Sequence, residues 1–227
     1  ADGTVISAEA ISTMNWATHV DLETGRPVET PGEVYRPQLD KWARGVCPNL
    51  IGGKNWPPMS YSEQTGLVYI PTFNLCMDIV GSEQEYVKGS FFLAAEFDLG
   101  INTPGKEDYP GEYKAWDPVN QKLVWSIKEE LAFLGGALTT SGGLLFYGNQ
   151  GGELKGVDAA SGDILWSFQA GSGINAAPIT YEIGGTQYVT VVTGRLVAPP
   201  AFFGEIGAKV IRSSLPGGNV VTFALRN

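Results

Sequence analysis

At 227 residues the chain can bury a sizeable core in one or two domains, and its 30 glycines, 14 prolines, nine tyrosines and six tryptophans against 17% charged residues mark a turn-rich β protein. A formal net charge of −9 and a pI of about 4.6 exclude a nucleic-acid binder, because no basic face is available to neutralise phosphates. No apolar run approaches the roughly 18 residues of a membrane span, and the opening ADGTVISAEA has neither the basic nor the apolar segment of a signal peptide.

In chain order, residues 4–7 (TVIS) predict a short strand. Residues 15–21 (NWATHVD) predict a second, followed by a turn at Glu23, Thr24 and Gly25. The stretch 26–45 is Pro-rich and reads as irregular. Leu67, Val68, Tyr69 and Ile70 form an apolar β run after the Thr65-Gly66 turn. Residues 78–113 read as a long insertion with little periodicity, containing a buried strand at 91–95 (FFLAA) and a surface loop at 102–110 (NTPGKEDYP).

A repeat then emerges. KAWD leads through PVNQ to LVW at 123–125, and GVD leads through AASG to ILW at 164–166, 41 residues further on. VDLETG at 20–25 is a degenerate copy without the Trp. In each, the Asp is placed to accept turn amides, and the Trp of the fuller copies offers a ring for inter-sheet packing and one N–H. Strands at 143–148 and 153–156 flank a turn at Gln150, Gly151 and Gly152; a hairpin occupies 178–192; and 218–225 is a last strand. The reading is all-β throughout, with about four blades' worth of strands.

Residues 47–76 carry the functional signal: CPNLIGGKNWPPMSYSEQTGLVYIPTFNLC. Gly52-Gly53 permits a tight turn, Asn55 offers an amide with donors and an acceptor, Trp56 a broad π surface, and Pro57-Pro58 stiffens the backbone beyond them. On the residues alone, Asn55 caps its own turn or binds a ligand, Trp56 belongs to the core or to a site, and Cys47 and Cys76 are buried thiols or a disulfide. Their spacing and the single histidine, His19, fit no zinc site. Nucleotide loops, a G-x-S-x-G elbow and a partner for His19 as general base are not found. The adjacent acids Glu129-Glu130 and Glu107-Asp108 read as solvated charges.

This stretch, with KAWDPVNQKLVW and GELKGVDAASGDILWSF, resembles the quinoprotein alcohol dehydrogenases, which use pyrroloquinoline quinone (PQQ). The resemblance runs from Asp2 to Leu225 and implies the C-terminal part of such an enzyme. By it, residues 1–227 form one incomplete domain, about half of an eight-bladed β-propeller with tryptophan-docking motifs. An N-terminal portion not in this chain completes it, or several copies assemble into a ring. Asn55 and Trp56 match the pair that contacts PQQ; Lys54 faces the anionic cofactor or lies in solvent. Cys47 and Cys76 form a disulfide, which places the protein in the periplasm.

Phe133 and Leu134 stand where the family has a tryptophan walling the substrate pocket, so the pocket is expected to differ. The loop 194–204 also departs from the family, and its Arg195 holds an anionic group or a surface salt bridge. The resemblance puts the metal ligands, for calcium or a lanthanide, and the catalytic acid upstream, so neither a catalytic residue nor a metal ligand is assigned here. The implied function is oxidation of a small primary alcohol with electrons passing to a c-type cytochrome, this chain alone being inactive. The alternative is a non-catalytic scaffold of the same repeats, or a degenerate homologue without cofactor.

Overall fold

The computed structural model describes residues 2–32, 35 and 38–225; within the Pro-rich stretch, residues 33, 34, 36 and 37 lie outside them, as do 1, 226 and 227. The expected strand at 4–7 does not form. Asp2 instead closes a local turn, its Oδ1 accepting from the Thr4 amide and hydroxyl, and Ile6 is left in solvent. Strands β1 (Ala17–Asp21) and β2 (Arg26–Glu29) make an antiparallel hairpin, so the start of the Pro-rich stretch is strand; Pro27 fits because β2 is an edge. A further strand, β3 (Ala43–Val46), corrects the same reading.

A four-stranded sheet begins with β4 (Ser60–Ser62) and β5 (Leu67–Phe73). The chain then leaves it. Strands β6 (Leu75–Gly81) and β7 (Ala95–Asn102) pair with each other, and β6 also pairs with β3, forming a separate three-stranded sheet. The chain returns as β8 (Gly111–Asp117), which pairs with β5, and β9 (Lys122–Glu129) closes the sheet. The expected insertion is therefore an ordered hairpin. Residues 91–94 are not a buried strand: Phe91, Phe92 and Leu93 are exposed at its tip. The 103–110 turns match the predicted surface loop, although Thr103 and Pro110 are buried.

The second four-stranded sheet comes next in the chain, in the order β10 (Leu138–Thr139), β11 (Leu144–Gly148), β12 (Glu153–Asp158) and β13 (Ile164–Gln169). A last sheet holds β14 (Ile179–Ile183), β15 (Thr186–Val192) and β16 (Val220–Ala224). Between β15 and β16 lies a 3-10 turn, Pro200–Phe202, and a helix, α1 (Gly204–Arg212), where only strand and loop were expected. Gly207 is required there, since a Cβ would meet the Pro200 carbonyl.

The two four-stranded sheets pack face to face through Tyr69, Tyr113, Ala115, Leu145, Tyr147 and Val157, with Tyr113 and Tyr147 stacked at 4.0 Å. They also share one construction. Asp117 and Asp158 each accept two amides of the adjoining turn, at 2.9 Å, and Asp21 does the same for Glu23 and Thr24. Four residues after each Asp the backbone turns left-handed, at Gly25, Gln121 and Gly162. The β8–β9 and β12–β13 ladders both slip one position, leaving Val124 and Leu165 unpaired immediately before the two tryptophans.

Behind this face lies a buried ionic network. The Glu129 carboxylate accepts from the Tyr147 hydroxyl at 2.6 Å, from Lys155 Nζ at 2.7 Å and from the Asn149 amide. Glu129 is thus not a solvated charge; only Glu130, its outward neighbour, is. Burial, reinforced by Glu129, pushes the Tyr113 and Tyr147 hydroxyls above their ordinary values.

Candidate cofactor-facing loops

Residues 47–58 are held from both ends. The Cys47–Cys76 disulfide joins the end of β3 to the start of β6. Asn49 is buried and fixes the loop three ways: its amide N–H donates to Leu75 O, its Nδ2 to Leu99 O, and its Oδ1 accepts from the Ile51 amide. Gly52 takes φ +80, and a Cβ on Gly53 would collide with Ser12. The Gly53 carbonyl then accepts from Phe73 N, tying the loop to β5.

Asn55 closes the loop tip. Its Nδ2 donates to Ile51 O and its Oδ1 accepts from Trp56 N, both at 2.8 Å. Each amide atom keeps a second hydrogen or lone pair for another partner. The Trp56 ring stands 63% exposed. Lys54 is half-buried and no ion pair joins it among the described residues.

Neighbouring loops gather beside this tip. Ala137 N donates to Pro58 O, and Gly136 lies so close to Pro58 and Ala177 that a Cβ would fit neither. Gln150, wholly buried, bridges the next loops: its Nε2 donates to Phe133 O and Asn175 Oδ1 at 2.6 Å, and Asn175 donates to Gly194 O. Sequence reading placed Gln150 in a plain turn; nothing local marks it as a strut, because its acceptors come from distant loops. The Gln150 Oε1 and the Arg195 Nε are buried without partners, and among the described residues Arg195 does not form the surface salt bridge expected of it.

Phe133 and Leu134 both turn into the core. Phe133, at φ +64, packs on Phe73 and Phe203, and Leu134 sits with Tyr113 and Tyr147. A groove of about 500 Å³ lies elsewhere, between Phe146, Leu165, Trp166, Val189 and Phe223. No three acidic, His or Cys residues stand together as metal ligands among the described residues. The exposed Trp56 indole and the Asn55 amide with its spare hydrogen fit one face of a flat ring system bearing oxygen acceptors.

Comparison with known proteins accounts for the sheets. Residues 105–189 match the family described as glucose/ethanol/alcohol dehydrogenase, beta-propeller domain. A quinoprotein ethanol dehydrogenase of Pseudomonas aeruginosa is 41% identical over 95% of this chain and 34% of its own length. A lanthanide-dependent methanol dehydrogenase of Methylacidiphilum fumariolicum is 39% identical over 85% of this chain and 31% of its own. The solved structure of a europium-containing methanol dehydrogenase superposes with a TM-score of 0.88 at 36% identity, covering 97% of this chain and 41% of that one. The chain belongs to the quinoprotein alcohol dehydrogenase family. It spans about a third of the length of the curated relatives it matches, and its sheets are blades of a partial propeller. Among the described residues two blades have four strands and a third has three, and β6 and β7, which pair with the earlier β3, are inserted within a blade.

Proposed function

We propose that this chain supplies one side of the cofactor chamber of a periplasmic dehydrogenase that oxidises a small primary alcohol with PQQ and delivers the electrons to a c-type cytochrome. The observation that carries the reading is the Asn55-Trp56 tip, held by the disulfide and by Asn49 rather than left to move. The P. aeruginosa and M. fumariolicum relatives, one named as a quinoprotein and the other as lanthanide-dependent, support PQQ with calcium or a lanthanide.

PQQ, when bound with its metal ion, supplies the two-electron acceptor for the alcohol carbon. Asn55 Nδ2 has one hydrogen left to donate to a quinone or carboxylate oxygen, and the Ile51 carbonyl fixes its direction. Trp56 offers its face to a flat ring and shields it from water. Lys54 adds positive charge next to an anionic ligand. No base for the hydroxyl proton is assigned to this chain; the resemblance puts it in the remaining length.

The test is reconstitution of the complete enzyme with PQQ and either calcium or a lanthanide, followed by quinone absorbance in the near-ultraviolet and dye-linked alcohol oxidation. Asn55→Ala and Trp56→Ala are each expected to weaken PQQ retention by about tenfold or more. Unchanged retention in both would overturn the assignment. A second reading, a scaffold without cofactor, is favoured by Asn55 satisfying its own loop and by Phe133 and Leu134 lying in the core. Absence of quinone absorbance after reconstitution would decide for it.

A further inference from the structure

The tip of the β6–β7 hairpin displays apolar side chains where a soluble loop would hide or omit them. Tyr86, Val87, Phe91, Phe92 and Leu93 are each more than half exposed. Phe202, on the 3-10 turn before α1, is equally exposed and meets Phe91 edge-on at 6.5 Å. Tyr86 and Phe92 meet at 6.2 Å. The two ring pairs, with Val87 and Leu93 on the same tip, display apolar side chains from the β6–β7 hairpin and from the turn before α1. Single exposed hydrophobics need no account, but a contiguous aromatic cluster on a polar chain marks an interaction surface.

The display is ordered. The Gln84 side chain accepts from the amides of Leu93 and Ala94 and donates to Phe91 O, at 2.7 to 2.9 Å. Ser82 N donates to Ala94 O and Ser90 N to Val87 O, closing the loop on itself. One side chain therefore satisfies three backbone groups and holds the aromatics outward. A loop fixed in this way has less freedom to lose when something binds.

Charge selects the partner. Exposed Glu83, Glu85 and Glu96 flank the aromatics along the hairpin, Lys88 is the one cation on the loop, and Lys209 and Arg212 of α1 are each paired with a glutamate. A second copy of this face would bring carboxylates against carboxylates, so self-association on it is disfavoured. An apolar centre ringed by lysines and arginines is its complement. The base of the hairpin also shares its core with the cofactor-facing loops: Ile51, Phe133, Leu99 and Phe203 pack in one cluster, and Phe203 touches Phe133 at 4.9 Å.

From these relationships we infer that the cluster around Phe91, Phe92 and Phe202 is the docking surface for the reaction's electron-accepting protein, met through an apolar centre and a basic rim. The inference rests on the dehydrogenase reading for the partner's identity, and on the surface itself for its location.

The test uses the complete, PQQ-loaded enzyme with a lysine-rich ferricytochrome c as probe. Three variants are compared with the parent: Phe91→Ser with Phe92→Ser, Glu83→Lys with Glu85→Lys, and Gln84→Ala. Binding is measured by titration at two salt concentrations, and dye-linked oxidation is measured separately. The Phe pair is expected to raise Kd by about tenfold or more, and the Glu pair to weaken binding and flatten its salt dependence. Gln84→Ala is expected to weaken binding by a smaller factor. Dye-linked oxidation stays unchanged throughout.

Kd unchanged in both pair variants overturns the surface. So does burial of the aromatic side chains in the complete enzyme alone, read as resistance of Phe91→Cys and Phe92→Cys to thiol labelling, which would assign the cluster to the rest of the polypeptide or to a second copy. Loss of dye-linked oxidation in the parent sinks the dehydrogenase reading instead, while binding still reports on the surface.

Discussion

The indole of Trp125 donates its N–H to the carbonyl of Ala159 at 3.2 Å, and the ring covers Gly162 in the turn of the next blade. One residue thus joins two sheets by a hydrogen bond and a ring contact. Trp166, at the same repeat position, makes no such bond among the described residues and packs edge-on against Phe223 at 5.0 Å.

Replacing Gly162 breaks this joint most directly. Its φ is +83, and a Cβ would stand 2.8 Å from the indole. Gly162→Ala is expected to cost on the order of 2–4 kcal/mol by denaturant unfolding. Trp125→Phe loses the donor and part of the indole's area but keeps an aromatic ring, for about 1–2 kcal/mol. If Trp125→Phe cost as much as Gly162→Ala, the ring contact would not be the larger part.

Removing Lys155 strands the buried Glu129 carboxylate, and removing Glu129 leaves Lys155 with Glu153 alone. Glu129→Gln or Lys155→Met is expected to destabilise by about 3–5 kcal/mol, and the double variant by less than the sum. Additive losses would show that the pair is not coupled.

Alkaline pH acts on the same cluster. Burial alone would lower the Lys155 pKa, but Glu129 and Glu153 outweigh it and hold it raised; burial raises Tyr69, Tyr113 and Tyr147. A group raised in the folded state keeps its full contribution below its unfolded pKa. That contribution is lost as pH rises towards the folded value. Stability is therefore expected to fall from about pH 10 upward, more steeply than in the Tyr147→Phe variant. Equal slopes in thermal unfolding across that range would refute the assignment.

Reducing the Cys47–Cys76 bond releases a closed segment spanning 29 positions. The loss expected from chain entropy is about 3–4 kcal/mol. Because the bond also fixes the loop bearing Asn55, PQQ retention should fall in Cys47→Ser/Cys76→Ser even at temperatures where the protein stays folded. Unchanged retention would confine the disulfide to stability.

The Asp117 and Asp158 turns were legible in the sequence because their chemistry is local: a carboxylate two and three residues before the amides it accepts. The Cys47–Cys76 pairing came from the resemblance, not from the residues. What sequence reading missed depends on distant partners. Glu129 looked like half of a solvated pair because Lys155 and Tyr147 come from the next sheet. Phe91 to Ala95 read as a buried strand because Gln84, which holds the backbone of residues 91–94 outside any sheet, has no periodicity to announce it. Helix α1 was hidden by Gly204 and Gly207 and by the prolines ahead of it. At the candidate site, Asn55 and Trp56 were visible, whereas Gln150 was not, since it draws together segments 17 to 25 residues away.

The excursion of β6 and β7 also sets an order of assembly. Val68 must find Trp116 across 48 positions, while Leu145 finds Val157 across 12. Closing the longer loop costs more entropy before any contact repays it. The β10–β13 blade can therefore zip from neighbouring hairpins, and the blade carrying Tyr69 and Tyr113 must wait until β6 and β7 have drawn its two halves together. The inserted hairpin thus acts as the folding clamp of the blade that it interrupts.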